Sequence, residues 1–326
     1  MAHVLVVGGA GYIGSHMVLA LDQAGHRVTV LDDLSSGHRE AVLAGRLIEG
    51  SLGDGQLLDG LLASDPPDAV MHFAAFIEVG ESVRDPGKYY RNNFAATQVL
   101  LDAMRRHGVD AFIFSSTAAI FGEPRSVPID EAHPKGPINP YGRSKWMVEQ
   151  LLEDYDRAYG LRAVALRYFN AAGADPEGRV GERHDPETHL IPLVLQAASG
   201  RRESITVFGE DYDTPDGTCI RDYIHVVDLC QAHLLALDAL LDGAPSARYN
   251  LGNGAGYSVR EVIDTARRVT GREIPQRLGS RRPGDPARLV ADSRRITAEL
   301  GWSPRYGDLE DILRHAWVWE RHMAGV

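Results

Sequence analysis

Short apolar runs alternate with segments of helical periodicity along the first half of the chain. The apolar runs are rich in β-branched residues, as expected of strands buried on both faces of a sheet. They lie at Val4–Val7, Val28–Leu31, Leu47–Ile48, Ala69–Phe73, Phe112–Phe114 and Val164–Leu166. The intervening patterns predict helices at Tyr12–Ala24, Gln56–Leu62, Tyr89–Arg106 and Tyr141–Tyr159. This alternation predicts a parallel sheet with helices on both sides, which the right-handed crossover rule makes doubly wound.

The alternation becomes irregular after Asn170. Glycine and proline cluster at Gly173–Pro186 and again at Pro283–Pro286, and the chain has no internal repeat or low-complexity tract. We therefore predict an α/β protein with a Rossmann-type, doubly wound parallel sheet and a second, smaller, mixed α/β domain for the substrate. The predicted division assigns residues 1–169 and 226–250 to the first domain and residues 170–225 and 251–326 to the second.

The charge balance and the cysteine count narrow the class of protein. The chain has 34 lysines and arginines against 45 aspartates and glutamates, which gives a net charge of −11. This balance argues against nucleic acid as a partner, because phosphate backbones need a basic surface. Only two cysteines, Cys219 and Cys230, are present, so we expect no disulfide framework and a reducing, cytoplasmic compartment. Without a basic leader or an apolar run of about 18 residues, we expect neither secretion nor a membrane.

A glycine-rich turn, Gly8-Gly9-Ala10-Gly11-Tyr12-Ile13-Gly14, follows the first predicted strand. Its spacing fits G-x-G-x-x-G and G-x-x-G-x-x-G, in which glycines permit a tight turn and let the backbone approach a pyrophosphate. The helix that begins there would direct its N-terminal amides at the phosphates. Asp32 and Asp33 end the next strand, where a carboxylate can bind the adenosine ribose and repels a 2′-phosphate. The segment therefore predicts a dinucleotide site that prefers NAD to NADP, although Arg39 could face a 2′-phosphate.

Tyr141 and Lys145 stand four residues apart on a predicted helix and therefore share one of its faces. A nearby ammonium group favours the phenolate and lowers the tyrosine pKa from about 10, which makes the phenol a usable general base. The segment Ser115-Ser116-Thr117 ends the preceding strand and could relay the proton through a hydroxyl. The pair alone could also be an exposed tyrosine and a solvated lysine. The glycine-rich turn upstream favours the catalytic interpretation.

The glycine-rich turn, Thr117 and the segment Tyr141–Lys145 resemble the extended short-chain dehydrogenase/reductase family. Further segments narrow the resemblance to the UDP-glucose 4-epimerases, and they follow in order along nearly the whole chain: Gly9–His16, Val79–Val83, Phe112–Ala118, Arg167–Asn170, Asp216–Thr218, Arg221–Val226 and Arg281–Asp285. The resemblance implies an isomerase of galactose metabolism. Such an enzyme interconverts UDP-glucose and UDP-galactose at C4, through a transient 4-keto sugar and with bound NAD.

The same resemblance implies roles for individual residues. Tyr141 would take the proton of the sugar 4-hydroxyl, directly or through Thr117, and Lys145 would also hold the nicotinamide ribose. The residues expected to contact NAD are Gly8, Gly11, Tyr12, Ile13, Gly14, Asp32, Asp33, Leu52, Phe73, Ala74, Ala75, Asn92, Ser115, Tyr141, Lys145 and Tyr168. The residues expected to contact the UDP-sugar are Thr117, Tyr141, Asn170, His189, Leu190, Thr206, Phe208, Arg221, Arg282 and Asp285.

The sequence departs from the family pattern at three informative positions. Ser51 replaces an aspartate near the adenine, and Ile77 replaces a lysine near the NAD phosphates, which could loosen the cofactor. Leu289 stands where some members carry a bulky tyrosine, and a smaller side chain there is associated with acceptance of N-acetylated sugars. UDP-N-acetylglucosamine is therefore an alternative substrate, and a UDP-pentose is another.

The residues after Thr117 disfavour other reactions of the family. A nucleotide-sugar 4,6-dehydratase typically has Asp-Glu there, and a UDP-glucuronate decarboxylase usually has a glutamate, whereas this chain has Ala118-Ala119. A catalytically silent NAD-binding sensor stays open as an alternative. The thirteen histidines show no H-E-x-x-H or Cys/His ligand spacing, so no metal site is predicted. Family members are commonly homodimers, whose interface helices would here be Tyr89–Arg106 and Tyr141–Tyr159.

Overall fold

The computed structural model describes residues 1–282 and 285–326, so Pro283 and Gly284 of the segment Arg281–Asp285 lie outside the described residues. The strands are β1 (His3–Val7), β2 (Arg27–Asp32), β3 (Arg46–Glu49), β4 (Ala69–His72), β5 (Ala111–Thr117), β6 (Arg162–Tyr168), β7 (Asn170–Ala172), β8 (Ile205–Phe208), β9 (Ile220–Arg221), β10 (Tyr223–His225), β11 (Ala247–Leu251), β12 (Tyr257–Ser258), β13 (Gln276–Gly279) and β14 (Arg288–Leu289). The helices are α1 (Tyr12–Gln23), α2 (Gly55–Ser64), α3 (Val79–Arg84), α4 (Pro86–Tyr89), α5 (Ala96–Arg106), α6 (Pro140–Tyr159), α7 (Leu190–Ser199), α8 (Val226–Leu241), α9 (Val259–Thr270), α10 (Arg294–Leu300) and α11 (Leu309–Ala324).

A seven-stranded sheet, in the order β11-β6-β5-β4-β1-β2-β3, forms the centre of the molecule. Every neighbouring pair in it is parallel. The prediction of a Rossmann-type doubly wound sheet is therefore confirmed. The strand order changes direction at β1 and β4, and sheets of this kind bind ligands in the crevice outside the carboxyl ends of such strands.

Strand β1 shows why its apolar run is continuous. Val4 and Val6 pack on one face of the sheet, in the core that includes Met17 of α1 and the apolar side of α8. Leu5 and Val7 pack on the other face, in the core formed with α2, α5 and α6. Because successive side chains of a strand point to opposite faces, both sets must be apolar when both faces are covered.

The segment predicted as one helix over Tyr89–Arg106 is divided. Helix α4 ends at Tyr89, a π-helical stretch covers Tyr90–Ala95, and α5 follows. The Asn93 side chain accepts a hydrogen bond from Phe76 N at 2.9 Å and donates one to Phe76 O at 2.9 Å. The Thr97 hydroxyl donates to Asn93 O. These side-chain bonds tie the stretch to the loop after β4 and account for the local departure from α-helical geometry.

The second half of the chain builds smaller sheets and a separate apolar core. Strands β7 and β10 are parallel, β8 pairs in parallel with β13, and β9 lies between β12 and β14. Helices α7, α9 and α11 share the core beside these strands. The domain boundaries stay a prediction. Ile296 and Trp302, which they assign to the second domain, pack in the core on one face of the large sheet. Among the described residues, no helix is long and apolar enough to cross a membrane.

Candidate active site

The glycine-rich turn between β1 and α1 is tightly packed at Gly8, Gly9 and Gly14 and open at Gly11. A Cβ atom on Gly8, whose φ is +83°, would lie 2.4 Å from Ala74 N, and one on Gly14 would lie 2.0 Å from Gly8 O. A Cβ on Gly11 would meet Gly8 O at 3.5 Å, an ordinary contact. Glycine at positions 8 and 14 therefore permits the close packing of the turn, and Gly11 leaves one side of the turn accessible at the N-terminus of α1. This cradle fits the pyrophosphate of a dinucleotide.

Asp32 lies at the carboxyl end of β2, beside that turn. One carboxylate oxygen accepts a hydrogen bond from Ala10 N at 2.8 Å, and the other accepts one from Leu34 N at 2.9 Å. Burial raises the pKa of Asp32, and these two hydrogen bonds oppose the shift. Asp33 accepts hydrogen bonds from the amide and hydroxyl of Ser35. The backbone thus fixes both predicted ribose-binding carboxylates.

Arg39, which could have faced a 2′-phosphate, forms an ion pair with Glu49 at the end of β3. The Glu49 carboxylate thus pairs with the positive charge of Arg39 next to the predicted ribose site. It therefore agrees with the preference for NAD that Asp32 and Asp33 predict.

The other residues predicted to contact NAD surround the same edge of the sheet. The amides of Phe73 and Ala74 both donate to Val7 O, at 2.7 and 3.1 Å, which places the segment after β4 against the end of β1. Ala75 continues that segment and is half-buried, Leu52 is buried, and Ile13 packs on the sheet core. The Tyr12 hydroxyl donates to Gly173 O at 2.7 Å, so the tyrosine joins α1 to the loop after β7. Asn92 donates to the Asn93 side chain at 3.0 Å.

Asn93 was not among the predicted residues, although it is the side chain that holds the loop after β4. It is 1% exposed and donates to the Ser144 hydroxyl at 3.3 Å besides its two bonds to Phe76. Two adjacent asparagines inside a helical pattern are the sequence signal that could have found it, because asparagine favours caps and turns over helix interiors.

Helix α6 carries the tyrosine and lysine, and its first turn is pressed against the loop that follows β5. Asn139 caps the helix by accepting a hydrogen bond from Gly142 N at 2.8 Å. A Cβ on Gly142 would lie 2.5 Å from Ala119 O, so glycine permits the close approach. Tyr141 thereby comes to lie beside Thr117 at the end of β5. Burial raises the pKa of Tyr141, and the neighbouring Thr117 side chain opposes the shift, so the lowered tyrosine pKa predicted from Lys145 is wrong for the protein without ligands.

Lys145 is 2% exposed and lies under the end of β5. Its ammonium donates to Ser115 O at 2.8 Å and lies 4.8 Å from the centre of the Phe114 ring. Burial lowers the pKa of Lys145 to about 7. The Ser115 hydroxyl is hydrogen-bonded to the hydroxyl of Tyr168, which ends β6. The structure therefore brings Thr117, Tyr141, Lys145, Ser115 and Tyr168 together at one edge of the sheet.

A buried ion pair that the sequence did not predict lies behind this group. The Arg167 guanidinium donates to both oxygens of the Glu149 carboxylate, with its shortest contact at 2.6 Å, and both side chains are at most 1% exposed. The Ser116 hydroxyl also donates to Glu149, at 2.6 Å. The pair connects α6 to β5 and β6, so it fixes the helix face that carries Tyr141 and Lys145.

Four of the residues predicted to bind the UDP-sugar meet in a second group. Arg221 forms an ion pair with Asp285, and Arg282 donates to the same carboxylate at 2.9 Å. The Arg282 guanidinium lies 5.2 Å from the centre of the Phe208 ring. The Phe208 side chain is 42% exposed, so part of its ring is accessible to a flat ligand.

The remaining residues predicted for the UDP-sugar differ in how directly they join that group. Asn170 donates to Asp222 O at 2.9 Å, next to Arg221 in the chain. Thr206 lies two residues before Phe208 on β8 and is half-buried. His189 instead turns its side chain to Glu182, and Leu190 packs on the core around α7.

Leu289 links the two groups. It lies on β14 in register with Arg221 of β9. Its side chain packs against the apolar cluster that contains Ala118, Ile120 and Phe121, in the loop after the catalytic strand. Its size can therefore affect the space between the catalytic edge and the arginines.

Residues 4–252 match the model of the NAD dependent epimerase/dehydratase family. The chain belongs to this family. The family's cofactor, NAD, agrees with the cradle at Gly11 and with the carboxylates that end β2, so the prediction of NAD as the cofactor is confirmed.

Individual relatives show which enzymes of this family the chain is similar to. The UDP-glucose 4-epimerase of Rhizobium meliloti is 55% identical over 317 residues, which cover 97% of this chain and 96% of that protein. A UDP-glucose 4-epimerase from Brucella ovis, solved in complex with NAD, superimposes with a TM-score of 0.95 at 51% identity and covers 97% of this chain and 98% of its own. The enzyme of Bifidobacterium longum, solved with NAD+ and UDP, gives 0.93 at 38% identity, with 98% of each chain covered. The resemblance to the UDP-glucose 4-epimerases is therefore confirmed.

Proposed function

We propose that this chain is an NAD-dependent UDP-glucose 4-epimerase, an isomerase that interconverts UDP-glucose and UDP-galactose through a transient 4-keto sugar. The observation that carries the proposal is the meeting of Tyr141, Thr117 and Lys145 at the edge of the sheet where the glycine-rich turn also lies. A role in galactose metabolism follows from the two sugars. The identity of about half of all residues to named epimerases supports this assignment over that of a silent NAD-binding sensor.

NAD would be held by the open turn at Gly11, by Asp32 at the ribose, and by the residues that line the ends of β1, β4 and β5. Bound NAD supplies a reversible hydride acceptor, so oxidation and reduction at C4 cancel. The remaining predicted contacts with NAD are those of Gly8, Tyr12, Ile13, Gly14, Asp33, Leu52, Phe73, Ala74, Ala75, Asn92, Ser115, Tyr141, Lys145 and Tyr168.

Tyr141 acts as the general base. Its phenolate takes the proton of the sugar 4-hydroxyl, directly or through the Thr117 hydroxyl, and the resulting phenol returns a proton when the 4-keto group is reduced. Burial raises the pKa of Tyr141, so the phenolate needs positive charge nearby. Lys145, one helical turn away, supplies that charge in its protonated form, and its hydrogen bond to Ser115 O fixes the ammonium in place. Because burial lowers the pKa of Lys145 to about 7, this support weakens as the pH rises above 7.

The second group recognises the UDP portion of the substrate. Arg221 and Arg282 present donor forks that suit the oxygens of a diphosphate. In the described residues both arginines share the Asp285 carboxylate, which leaves this acid available to the uridine ribose when phosphate oxygens engage the guanidiniums. The exposed Phe208 ring covers the uracil. Asn170, His189, Leu190 and Thr206 complete the predicted contacts.

A C4 epimerase of UDP-N-acetylglucosamine or of a UDP-pentose is the second candidate. The observation that favours the N-acetylated sugar is the modest size of Leu289 between the catalytic loop and Arg221. A solved UDP-Glc/GlcNAc 4-epimerase from Campylobacter jejuni is 43% identical to this chain and superimposes with a TM-score of 0.87.

The location and the assembly of the protein are further parts of the proposal. We expect a cytoplasmic enzyme, because its two cysteines are free and buried and its substrates are nucleotide sugars. We also expect a homodimer in which α5 and α6 of one subunit pack against those of the other. Sedimentation of the purified chain would test the dimer.

The product formed from UDP-glucose tests the proposal. The purified chain is incubated with UDP-glucose without added cofactor, and the nucleotide sugars are separated by chromatography. We expect UDP-galactose, formed with the NAD that purifies with the protein. A 4-keto-6-deoxy sugar would indicate a different reaction of the family. The absence of any product after NAD is added would contradict the proposed activity.

A further inference from the structure

A cluster of four ligand-type side chains lies between β7 and α7, and one member, His189, is also among the residues predicted to contact the UDP-sugar. Glu182, His184, Glu187 and His189 each offer one ligand atom, and these atoms all lie within 4.8 Å of one another. We propose that this cluster binds one divalent transition-metal ion such as Zn²⁺.

Three of the distances between the ligand atoms are close to those of a tetrahedral site, whereas His189 Nδ1 is hydrogen-bonded to Glu182 Oε1 and would have to move away from it. Zinc binds nitrogen and oxygen at about 2.0–2.2 Å, so the ligand atoms of a tetrahedral ion lie about 3.3–3.6 Å apart. His184 Nδ1 lies 3.2 Å from Glu182 Oε1 and 3.6 Å from Glu187 Oε2. His189 Nδ1 lies 3.9 Å from Glu187 Oε1. Small side-chain movements would therefore complete the coordination.

The His184 imidazole has a buried ring nitrogen that makes no hydrogen bond to a described residue. Its Nδ1 atom is inaccessible to solvent and makes no hydrogen bond to any residue in the described part of the chain. It faces Glu182 without the geometry of a hydrogen bond. A buried polar atom that makes no hydrogen bond is costly, and it indicates an ion or water that belongs in the site. A metal ion at the centre of the cluster would satisfy this nitrogen.

The surrounding contacts orient the two carboxylates toward the centre. Glu187 Oε1 accepts hydrogen bonds from the amides of Thr188 and His189, at 2.8 and 2.9 Å, which leaves Oε2 facing His184. The Trp319 indole donates to Glu182 O at 2.9 Å and so fixes the backbone of that residue. Outer contacts of this kind hold the ligands of metal sites in position.

The charges of the cluster also suit a divalent cation. The side chains of Glu182 and Glu187 are only 6% and 5% exposed, so their negative charges need compensation, which two protonated imidazoles or one divalent cation can supply. One divalent ion bound by two carboxylates and two neutral imidazoles makes the cluster neutral. Four protein ligands fill a tetrahedral zinc, so the ion would be structural rather than catalytic. It would fix the segment that leads into α7, which begins directly after His189.

Zinc binding by the full-length protein tests the inference. The purified chain, with its NAD, is treated with a chelator, dialysed, and titrated with Zn²⁺ alone in a calorimeter. We expect about one zinc ion per chain, retained through gel filtration, and a higher melting temperature. In Co²⁺-loaded protein we expect the visible absorption bands of tetrahedral cobalt. If the chain retains no zinc, protonated imidazoles hold the carboxylates as simple ion pairs, and the inference is wrong.

Two variants connect the ion to the cluster. His184→Ala removes a nitrogen ligand, and Glu187→Gln removes a charge while preserving an oxygen for the amides of Thr188 and His189. We expect both variants to lose the retained zinc and the cobalt bands. The matched control is His107→Ala, because His107 also lies beside a carboxylate, that of Asp59 at 3.0 Å. Retention of zinc by both cluster variants, with circular dichroism showing native folds, would overturn the assignment.

Discussion

The catalytic edge around Tyr141 and the arginine group around Asp285 are built in opposite ways. Lys145 and the Arg167–Glu149 pair are at most 2% exposed and are fixed by buried hydrogen bonds. In the arginine group, the Arg282 side chain is 56% exposed and shares an acid with Arg221. Chemistry at C4 needs donors and acceptors that stay in place as charge develops. Binding of a nucleotide diphosphate needs positive groups that can exchange a carboxylate partner for phosphate oxygens.

This difference predicts different consequences of substitution. A change at the catalytic edge should reduce turnover or the stability of the fold, because its side chains have few alternative positions. A change at Arg282 should mainly weaken substrate binding, because its side chain is 56% exposed and ion pairs of exposed groups contribute only about 0–1 kcal/mol to stability.

The largest effect is expected from Tyr141→Phe. Loss of the phenolic oxygen removes the proton acceptor, so turnover of UDP-glucose should fall about 10²–10⁴-fold. The NAD content, measured on denatured protein by chromatography, should stay at the wild-type level because the ring remains. Tyr159→Phe, on the exposed end of the same helix, is the control and should be fully active. Near-normal turnover in Tyr141→Phe would rule out this residue as the base.

The next effect is on stability and comes from Glu149→Gln. This change leaves the buried Arg167 charge without its counterion, which should lower the free energy of unfolding by about 3–5 kcal/mol. Glu153→Gln lies one turn further along α6, where the glutamate is exposed and also pairs with arginines. Urea unfolding followed by circular dichroism compares the two. Equal, small losses would mean that the buried pair does not hold α6 in place.

The pH dependence of stability tests the environment of Lys145. Burial lowers its pKa to about 7 in the folded protein, against about 10.4 in an unfolded chain. Between these pH values the unfolded state binds more protons, so folding stability should rise with pH. Below pH 7 both states are protonated, and the contribution becomes constant.

The variant Lys145→Met isolates this contribution. The difference in unfolding free energy, wild type minus variant, should increase from about pH 7 toward pH 10. Loss of the hydrogen bond to Ser115 O changes the difference by an amount that does not depend on pH. A difference that is flat over this range would show that the folded protein keeps the Lys145 pKa near its ordinary value.

The elements of the sheet could be predicted because their signals are local. The run Val4–Val7 is apolar throughout since both faces of β1 are covered, and β1 is observed at His3–Val7. The spacing of Tyr141 and Lys145 predicts a shared helix face, and both lie on α6. Such patterns need only neighbouring residues, so one sequence suffices.

The contacts that stabilise the site could not be predicted in this way. Glu149 and Arg167 are eighteen residues apart and meet only after β6 has paired with β5. The break in the helix predicted over Tyr89–Arg106 depends on Asn93 reaching a loop seventeen residues earlier. The roles of Phe208 and Arg282 came from family resemblance, because an exposed ring and a surface arginine have no distinctive periodicity. Tertiary contacts of this kind depend on the fold rather than on local pattern.

The smallest effect is expected from Arg282→Ala, and it sharpens the contrast between the two regions. Loss of hydrogen bonds to a charged group costs about 1.5–3 kcal/mol, so KM for UDP-glucose should rise about 10–100-fold. The value of kcat and the free energy of unfolding should change little, because Arg282 is assigned to the diphosphate rather than to C4 and its own side chain is 56% exposed. The control is Arg314→Ala, an arginine of similar exposure that pairs with Glu310 on α11. Steady-state kinetics separate the two constants. A fall in kcat at constant KM would place Arg282 in the chemical step and remove the distinction between a rigid catalytic edge and an exchangeable binding group.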